Sequence, residues 1–485
     1  WAGVDGRTQR VRALVVDTDG VVAGAGTAPL TSSRDGVRHE QDPAAWWTAV
    51  RAALRAALRD ADASRVRGVA VDATSGTILL ADGTGTPISP ALMYDDARAG
   101  AEAERVDEAG AALWTRLGYR RMQPSWALPK LLWLLREHGR AGARLVHQAD
   151  YVTARLAGHP VAADSSHALK TGYDLVDERW PGDVLDALGV PADVLPDVVR
   201  PGTGLGTVSA EAAAETGLPE GAAVVAGMTD GCAAQLGAGA LQVGAWNSVL
   251  GTTLVLKGVT KELLADPTGV VYSHRSPDGG WLPGGASSTG AGVLTRLFPG
   301  RDLAALDAAA AQHEPASVVV YPLVSRGERF PFVAPEAEPF VCGRPAGEAD
   351  HYAAVLQGVA FVERLCFDHL DRLGAPVDGP LSLTGGATRS RYWCQLRADV
   401  LGRPVRLPDN AEPALGMAVL AAASGGSVAE AAGRMVRVRE TLDPRPGAAG
   451  RFAAAYLRLV DELAGRGWLD LAMAAYARER AEVDR

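Results

Sequence analysis

Reactive sulfur is scarce in this 485-residue chain: Cys232, Cys342, Cys366 and Cys394 are its only cysteines, and none sits in a Cys-x-x-Cys or Cys/His cluster. Such spacing argues against a disulfide framework or a zinc site and suits a reducing compartment, so a cytoplasmic location is expected. Blocks of basic charge are missing too. The 48 Lys and Arg against 57 Asp and Glu leave a net charge of -9, with no run that would track a phosphate backbone, and nucleic acid is therefore not an expected partner. Nor is there an unbroken apolar span. The longest uncharged stretch, Gly231 to Leu256, exceeds the roughly 20 residues that cross a bilayer, but Gln235, Gln242, Asn247, Ser248 and several glycines interrupt it. It reads as buried chain, and with no basic-then-apolar leader in view no membrane attachment is expected.

What the chain does have is the composition of a globular protein, 47% apolar and 22% charged residues, and enough length for two large domains or three small ones. Ala2 to Asp17 reads as a hairpin, strand then Gly6–Arg10 turn then strand. Asp42-Pro43 supplies an N-cap and a first-turn proline, and Trp46, Val50, Leu54 and Leu58 recur along one helical face. A strand follows at Val66 to Asp72, and a helix is expected around Lys130 to Arg136. A second strand pair, Trp246 to Lys257, turns at Gly251-Thr252 and weakly echoes the opening hairpin. The pattern predicts α/β layering in two related halves that meet near residue 240 with a ligand cleft between them. Ala453, Leu457, Val460 and Leu463 form the stripe of a helical tail.

Five separated runs stand out: Gly3-Val-Asp5 with Thr8, the Ser125 to Glu137 run with Lys130 and Trp133, Gly227-Met-Thr-Asp230-Gly231, Leu250-Gly-Thr-Thr253, and Thr384-Gly-Gly-Ala-Thr-Arg-Ser390. Together they resemble one family, the FGGY carbohydrate kinases. Gly327-Glu-Arg-Phe-Pro331 and Glu412-Pro-Ala-Leu-Gly416 resemble two further family segments, all in family order. The resemblance implies an α/β fold of two actin-like (ribonuclease H-like) domains with a cleft between them. Residues 1–240 would carry the sugar and catalytic groups, and 241–485 the nucleotide site and the helical tail. It implies phosphoryl transfer from ATP, with Mg2+, to a terminal hydroxyl of a small-molecule sugar, and it leaves room for a homodimer. Within the family, Val71-Asp-Ala-Thr-Ser-Gly-Thr77 replaces the Gln-Met-His-Gly run usual in xylulokinases. Gly269 to His274 and Gly284 to Ser288 resemble D-ribulose kinases, so D-ribulose leads as the expected acceptor, with D-xylulose or another ketose or polyol as the alternative.

The same resemblance assigns roles. Asp230 is the expected general base, since a carboxylate beside the attacking hydroxyl can take its proton; read alone, it is a cap for the helix after it. Asp5 is placed at the metal and the sugar, and Thr8 at the ATP phosphates. Here the chain departs from the family, because Arg7 stands where a glycine usually lets backbone amides approach phosphate. With Arg10 as a second cation nearby, Arg7 is expected to crowd that approach and to relieve it by swinging into solvent. A catalytically weakened sugar- or nucleotide-binding protein is therefore the competing class. Gly251, Thr252 and Thr253 form the expected second phosphate loop, and Gly385, Gly386, Ala387 and Ser390 the adenosine turn. Asp72, Thr74, Ser75, Asp96 and Arg98 join Asp5 and Asp230 as expected sugar contacts. Trp126 is read as core and Lys130 as surface.

Overall fold

The structure is a computed structural model that describes residues 1–483. The opening hairpin forms where expected, Ala2–Gly6 pairing antiparallel with Arg10–Val16, and Val22–Pro29 adds the third strand. Ala2–Gly6 also pairs in parallel with Gly68–Ala73, which pairs in parallel with Ala223–Val225. Paired on both edges, the opening strand is buried along its whole length, the usual state of parallel strands covered by helices. The helix Pro43–Ala57 covers one face. Asp42 caps it by accepting the Ala44 N–H, Pro43 starts it, and Trp46, Val50 and Leu54 bury against the sheet.

A second sheet repeats this order. Trp246–Leu250 pairs antiparallel with Leu254–Gly258, which continues to Trp281–Ala286; on its other edge it runs parallel to Leu381–Thr384, and that strand runs parallel to Val405–Pro408. The faint echo between the two Gly/Thr turns is thus a repeat of topology, three antiparallel strands followed by two parallel ones. Sequence similarity fades because a core asks for apolar volume rather than identity. The uncharged stretch from Gly231 to Leu256 resolves into the helix Asp230–Gly237, a connector and the hairpin. Among the described residues no helix is long and apolar enough to cross a membrane.

Two additions shape the site. A smaller five-stranded sheet that includes Ile78–Ala81 and Arg144–His147 packs with the helices Gly100–Arg116 and Ala127–His138 around Ile78, Leu80, Trp114 and Leu131. The other is the helix Pro413–Ala422, which leaves the second half to lie against Ala2–Gly6 and Asp230–Gly237 of the first. Leu415, Val419, Met228 and Leu236 share its core. The approach is close: a Cβ on Gly416 would sit 2.0 Å from the Ala233 carbonyl oxygen, which explains a glycine in the Glu412 to Gly416 segment. In the tail helix Ala448–Gly465, Ala453, Val460 and Leu463 are buried as expected, while Leu457 is only partly so; Phe452, Tyr456 and Leu459 complete the stripe.

Candidate active site

Parallel strands place their carboxyl-terminal ends along one sheet edge, the usual position for ligands in α/β folds. Asp5 and Asp72 are register partners there. Both are buried; Asp5 Oδ1 and both Asp72 oxygens find no N–H or hydroxyl donor, and the two carboxyls face each other closely enough to share a proton. Burial raises the Asp72 carboxyl well above the usual carboxylate range, with the charge of Asp5 adding to it; burial also raises Asp5, against the pull of Arg7. Asp230 follows one step further out, because Thr229 bridges to Ala73 at the end of the same strand. Its helix has Thr229, not Asp230, at the N-cap position. Asp230 is partly exposed, and its Oδ1 accepts the Gly231 N–H at 2.7 Å. Behind it, Ser166 Oγ accepts the Thr229 N–H at 2.9 Å, and Asp164 in turn holds Ser166 and His167. This buried group fixes where the Asp230 helix begins.

Arg7 does not swing into solvent. Its Nε donates to Asp5 Oδ2 at 2.7 Å, although the side chain stays 46% exposed. The attraction has an obvious source, since Asp72 and Asp230 also act on the guanidinium. The Arg7 N–H is used as well, closing the turn onto the Arg10 carbonyl at 3.1 Å. Thr8 sits in the same turn, its carbonyl accepting Gln41 Nε2 at 2.6 Å.

On the second sheet, Leu250 and Thr384 end neighbouring parallel strands, so the loop Gly251 to Thr253 and the turn at Gly385 and Gly386 come to one edge. Gly385 has φ +88°, and a Cβ there would strike the Leu250 carbonyl at 2.6 Å. Gly386 borders open space, and a Cβ on Gly251 would meet only the Thr253 carbonyl oxygen, at 4.0 Å. Thr252 is exposed. The carbonyls of Gly251 and Thr252 accept the N–H groups of Ala291 and Gly292, which holds the loop from behind. Ala387 is buried under the turn, and Ser390 Oγ caps the next helix by accepting the Trp393 N–H. Glu328 of the Gly327 to Pro331 segment is buried and binds Ser287, the Ser288 N–H and the Tyr321 hydroxyl, a structural use.

The residues expected at the sugar divide. Ser75 Oγ is buried without a partner, and Asp72 meets no N–H or hydroxyl donor. Thr74 is engaged internally, bonded to Gln148 and Thr77. Asp96 is held by Arg98 Nε and Nη2 and by the His39 N–H, while Arg98 also meets Glu40 and stacks 4.8 Å from the Trp133 ring centre. Both are bonded within the protein and shape the segment around Met93 and Tyr94. Trp126 is buried as expected, but the reading of Lys130 as a surface residue is corrected. It is fully buried, and its Nζ donates to the carbonyls of Gly76 at 2.6 Å and Met93 at 2.7 Å. Burial lowers it to about 7.

Further side chains near Asp230 had no assigned role in the sequence. Lys170 donates to the Ser75 carbonyl at 3.2 Å; burial lowers it to about 8, opposed by Asp230 and assisted by Lys257 and Arg329. Lys257 Nζ lies 3.0 Å from His274 Nδ1. A signal for Lys257 was present, because it is the charge that ends the uncharged run; His274 and Tyr272 alternate along a strand and so share a face.

Comparisons with known proteins give the family and the fold. The family description "FGGY family of carbohydrate kinases, N-terminal domain" matches residues 1–237, and its C-terminal counterpart matches residues 246–425. A xylulose kinase of Streptomyces coelicolor is 34% identical over 438 residues, 87% of this chain and 87% of that protein. Another, from Streptomyces rubiginosus, is 32% identical over 433 residues, again 87% of each. The crystal structure of xylulose kinase from Rhodospirillum rubrum superposes with a TM-score of 0.86 at 28% identity, covering 96% of this chain and 98% of that one. Agreement in order, length and fold leads to one conclusion: the chain belongs to the FGGY family of carbohydrate kinases, which use ATP to phosphorylate the alcohol group of a sugar.

Proposed function

We propose that this kinase phosphorylates the terminal hydroxyl of a ketopentose, with D-xylulose as the acceptor in place of the D-ribulose favoured by the segments Val71 to Thr77, Gly269 to His274 and Gly284 to Ser288. The relatives named xylulose kinase, matched over 87% of the chain, support that change. The observation that carries the reading is the convergence of Asp5, Asp72 and Asp230 at one strand edge. Asp230, with Oδ1 held by the Gly231 N–H, keeps its second oxygen for the acceptor hydroxyl and takes its proton as the phosphoryl group arrives. Asp72 and Ser75 supply buried polar atoms for other sugar hydroxyls. Gly251 to Thr253 and Thr8 contact the phosphates, and Gly385 to Ser390 receive the adenosine. Domain bounds of 1–240 and 241–485 belong to the same proposal.

Asp5 Oδ1, buried and without an N–H or hydroxyl donor, fits a magnesium ion shared with ATP phosphates, since this ion commonly takes one or two carboxylates and completes its shell elsewhere. When bound, magnesium neutralises charge on the transferring group. Arg7 competes for the other Asp5 oxygen. That contact also favours a second reading, a binding protein with weakened transfer. A panel of ketopentoses and pentitols with ATP and magnesium, read as ADP release, tests both. D-Xylulose is expected to give the highest kcat/KM; a higher value for D-ribulose restores the ribulose reading, and no ADP release with any acceptor supports the binding protein.

A further inference from the structure

His274 is 1% exposed, and its Nε2 has no hydrogen-bond partner. Its other ring nitrogen faces Lys257 Nζ at 3.0 Å. A lysine ammonium only donates, so Nδ1 accepts and the ring proton sits on Nε2. Burial first, then Lys257 and Lys170, hold the imidazole far below its usual titration range, so it is neutral. A buried N–H without an acceptor is costly and calls for a ligand oxygen.

The surroundings say which ligand. Lys257 Cε would lie 3.3 Å from a Cβ on Gly231, the residue after Asp230. The Tyr272 ring lies 5.5 Å from that of His274 and 5.6 Å from that of Trp126, and Lys170 Nζ stands 5.7 Å from the Trp126 ring and bonds Ser75. Both halves of the chain therefore contribute to one wall, running from Ser75 through Lys170, Trp126, Tyr272 and His274 to Lys257 and back to Asp230. Two polar atoms along it are left open and suit a polyol: the Ser75 hydroxyl, which donates or accepts, and His274 Nε2–H, which donates.

We propose that His274 donates its Nε2–H to an oxygen of the acceptor sugar, and that Lys257 is a positioning residue that fixes the histidine tautomer for this contact. The inference rests on the kinase reading of the same site. Michaelis constants for D-xylulose, D-ribulose and ATP are compared in wild type, His274→Phe, His274→Gln and Lys257→Met, with calorimetric titration of each sugar in the absence of ATP. His274→Phe is expected to weaken sugar binding and raise the sugar KM by about tenfold or more, the factor of one buried hydrogen bond, with the ATP KM within about twofold. His274→Gln, whose amide can reach the Nε2 place, recovers most of the loss, and Lys257→Met falls between. Should His274→Phe not fold, His274→Asn replaces it, because its amide reaches the Nδ1 place only. Unchanged sugar constants in the Phe or Asn variant, or equal rises for sugar and ATP, overturn the proposal. A wild type that binds a ketopentose without phosphorylating it defeats the function reading alone, since the calorimetric arm still decides this one; binding of neither sugar defeats both.

Discussion

Replacing Arg7 by glycine restores the residue usual in the family and removes the 2.7 Å contact with Asp5. A hydrogen bond between charged groups contributes about 1.5–3 kcal/mol. Because Arg7 is 46% exposed, solvent screening reduces this to roughly 1–2 kcal/mol. Arg7→Gly is therefore expected to unfold more easily by about that amount, with the added chain entropy of glycine acting in the same direction. Nucleotide binding should respond in the opposite sense. If magnesium-bound ATP must take Asp5 away from the guanidinium, the same roughly 1–2 kcal/mol opposes binding in the wild type, which amounts to about 5–30-fold in affinity. The variant should show a KM for ATP lower by that factor at saturating D-xylulose, and a larger stabilisation by ADP in urea unfolding. The reasoning is refuted by a KM for ATP that rises about tenfold or by a matching loss of kcat, since the guanidinium would then be a phosphate ligand. A variant as inert as an inert parent would favour the binding protein.

Asp230→Ala should fold normally and lose about 10²–10⁴ in turnover, the usual effect of removing an acid–base group; steady-state rates within about threefold of wild type would sink the base assignment. Lys130 makes stability depend on pH. Its folded value of about 7 lies below the unfolded one near 10.5, so the unfolded chain binds more protons between those limits and stability rises with pH across them. Urea midpoints at pH 7 and pH 9 should show wild type gaining roughly 2 kcal/mol relative to Lys130→Met, and parallel curves for the two proteins would refute it.

Local chemistry was legible where neighbours in sequence decide it. The Ala2 to Asp17 hairpin and the capped helix after Asp42 follow from local sequence because turn and cap residues act within a few positions. The pairing of Asp5 with Asp72 does not, since parallel register is set by elements more than 60 residues apart. The inward position of Arg7 is hidden from local sequence for the same reason: three carboxylates drawn together by the fold make a field that no local pattern displays. Lys130 looked like surface because lysine usually is; its two carbonyl acceptors come from Gly76 and Met93, on other elements. Similarly, Gly416 is explained only by the helix it crosses.

The helix Pro413–Ala422 has a consequence for how the protein is made. The Asp230–Gly237 helix and the first sheet leave the ribosome roughly 175 residues ahead of the segment that covers them, an interval of about 10–35 s at usual synthesis speeds. During that time Met228 and Leu236 lack their partners Leu415 and Val419. A gene split after residue 240 should therefore yield two fragments that become soluble only when produced together. Stalled nascent chains ending near residue 300 should be cut by protease around residues 228–237, where finished protein resists.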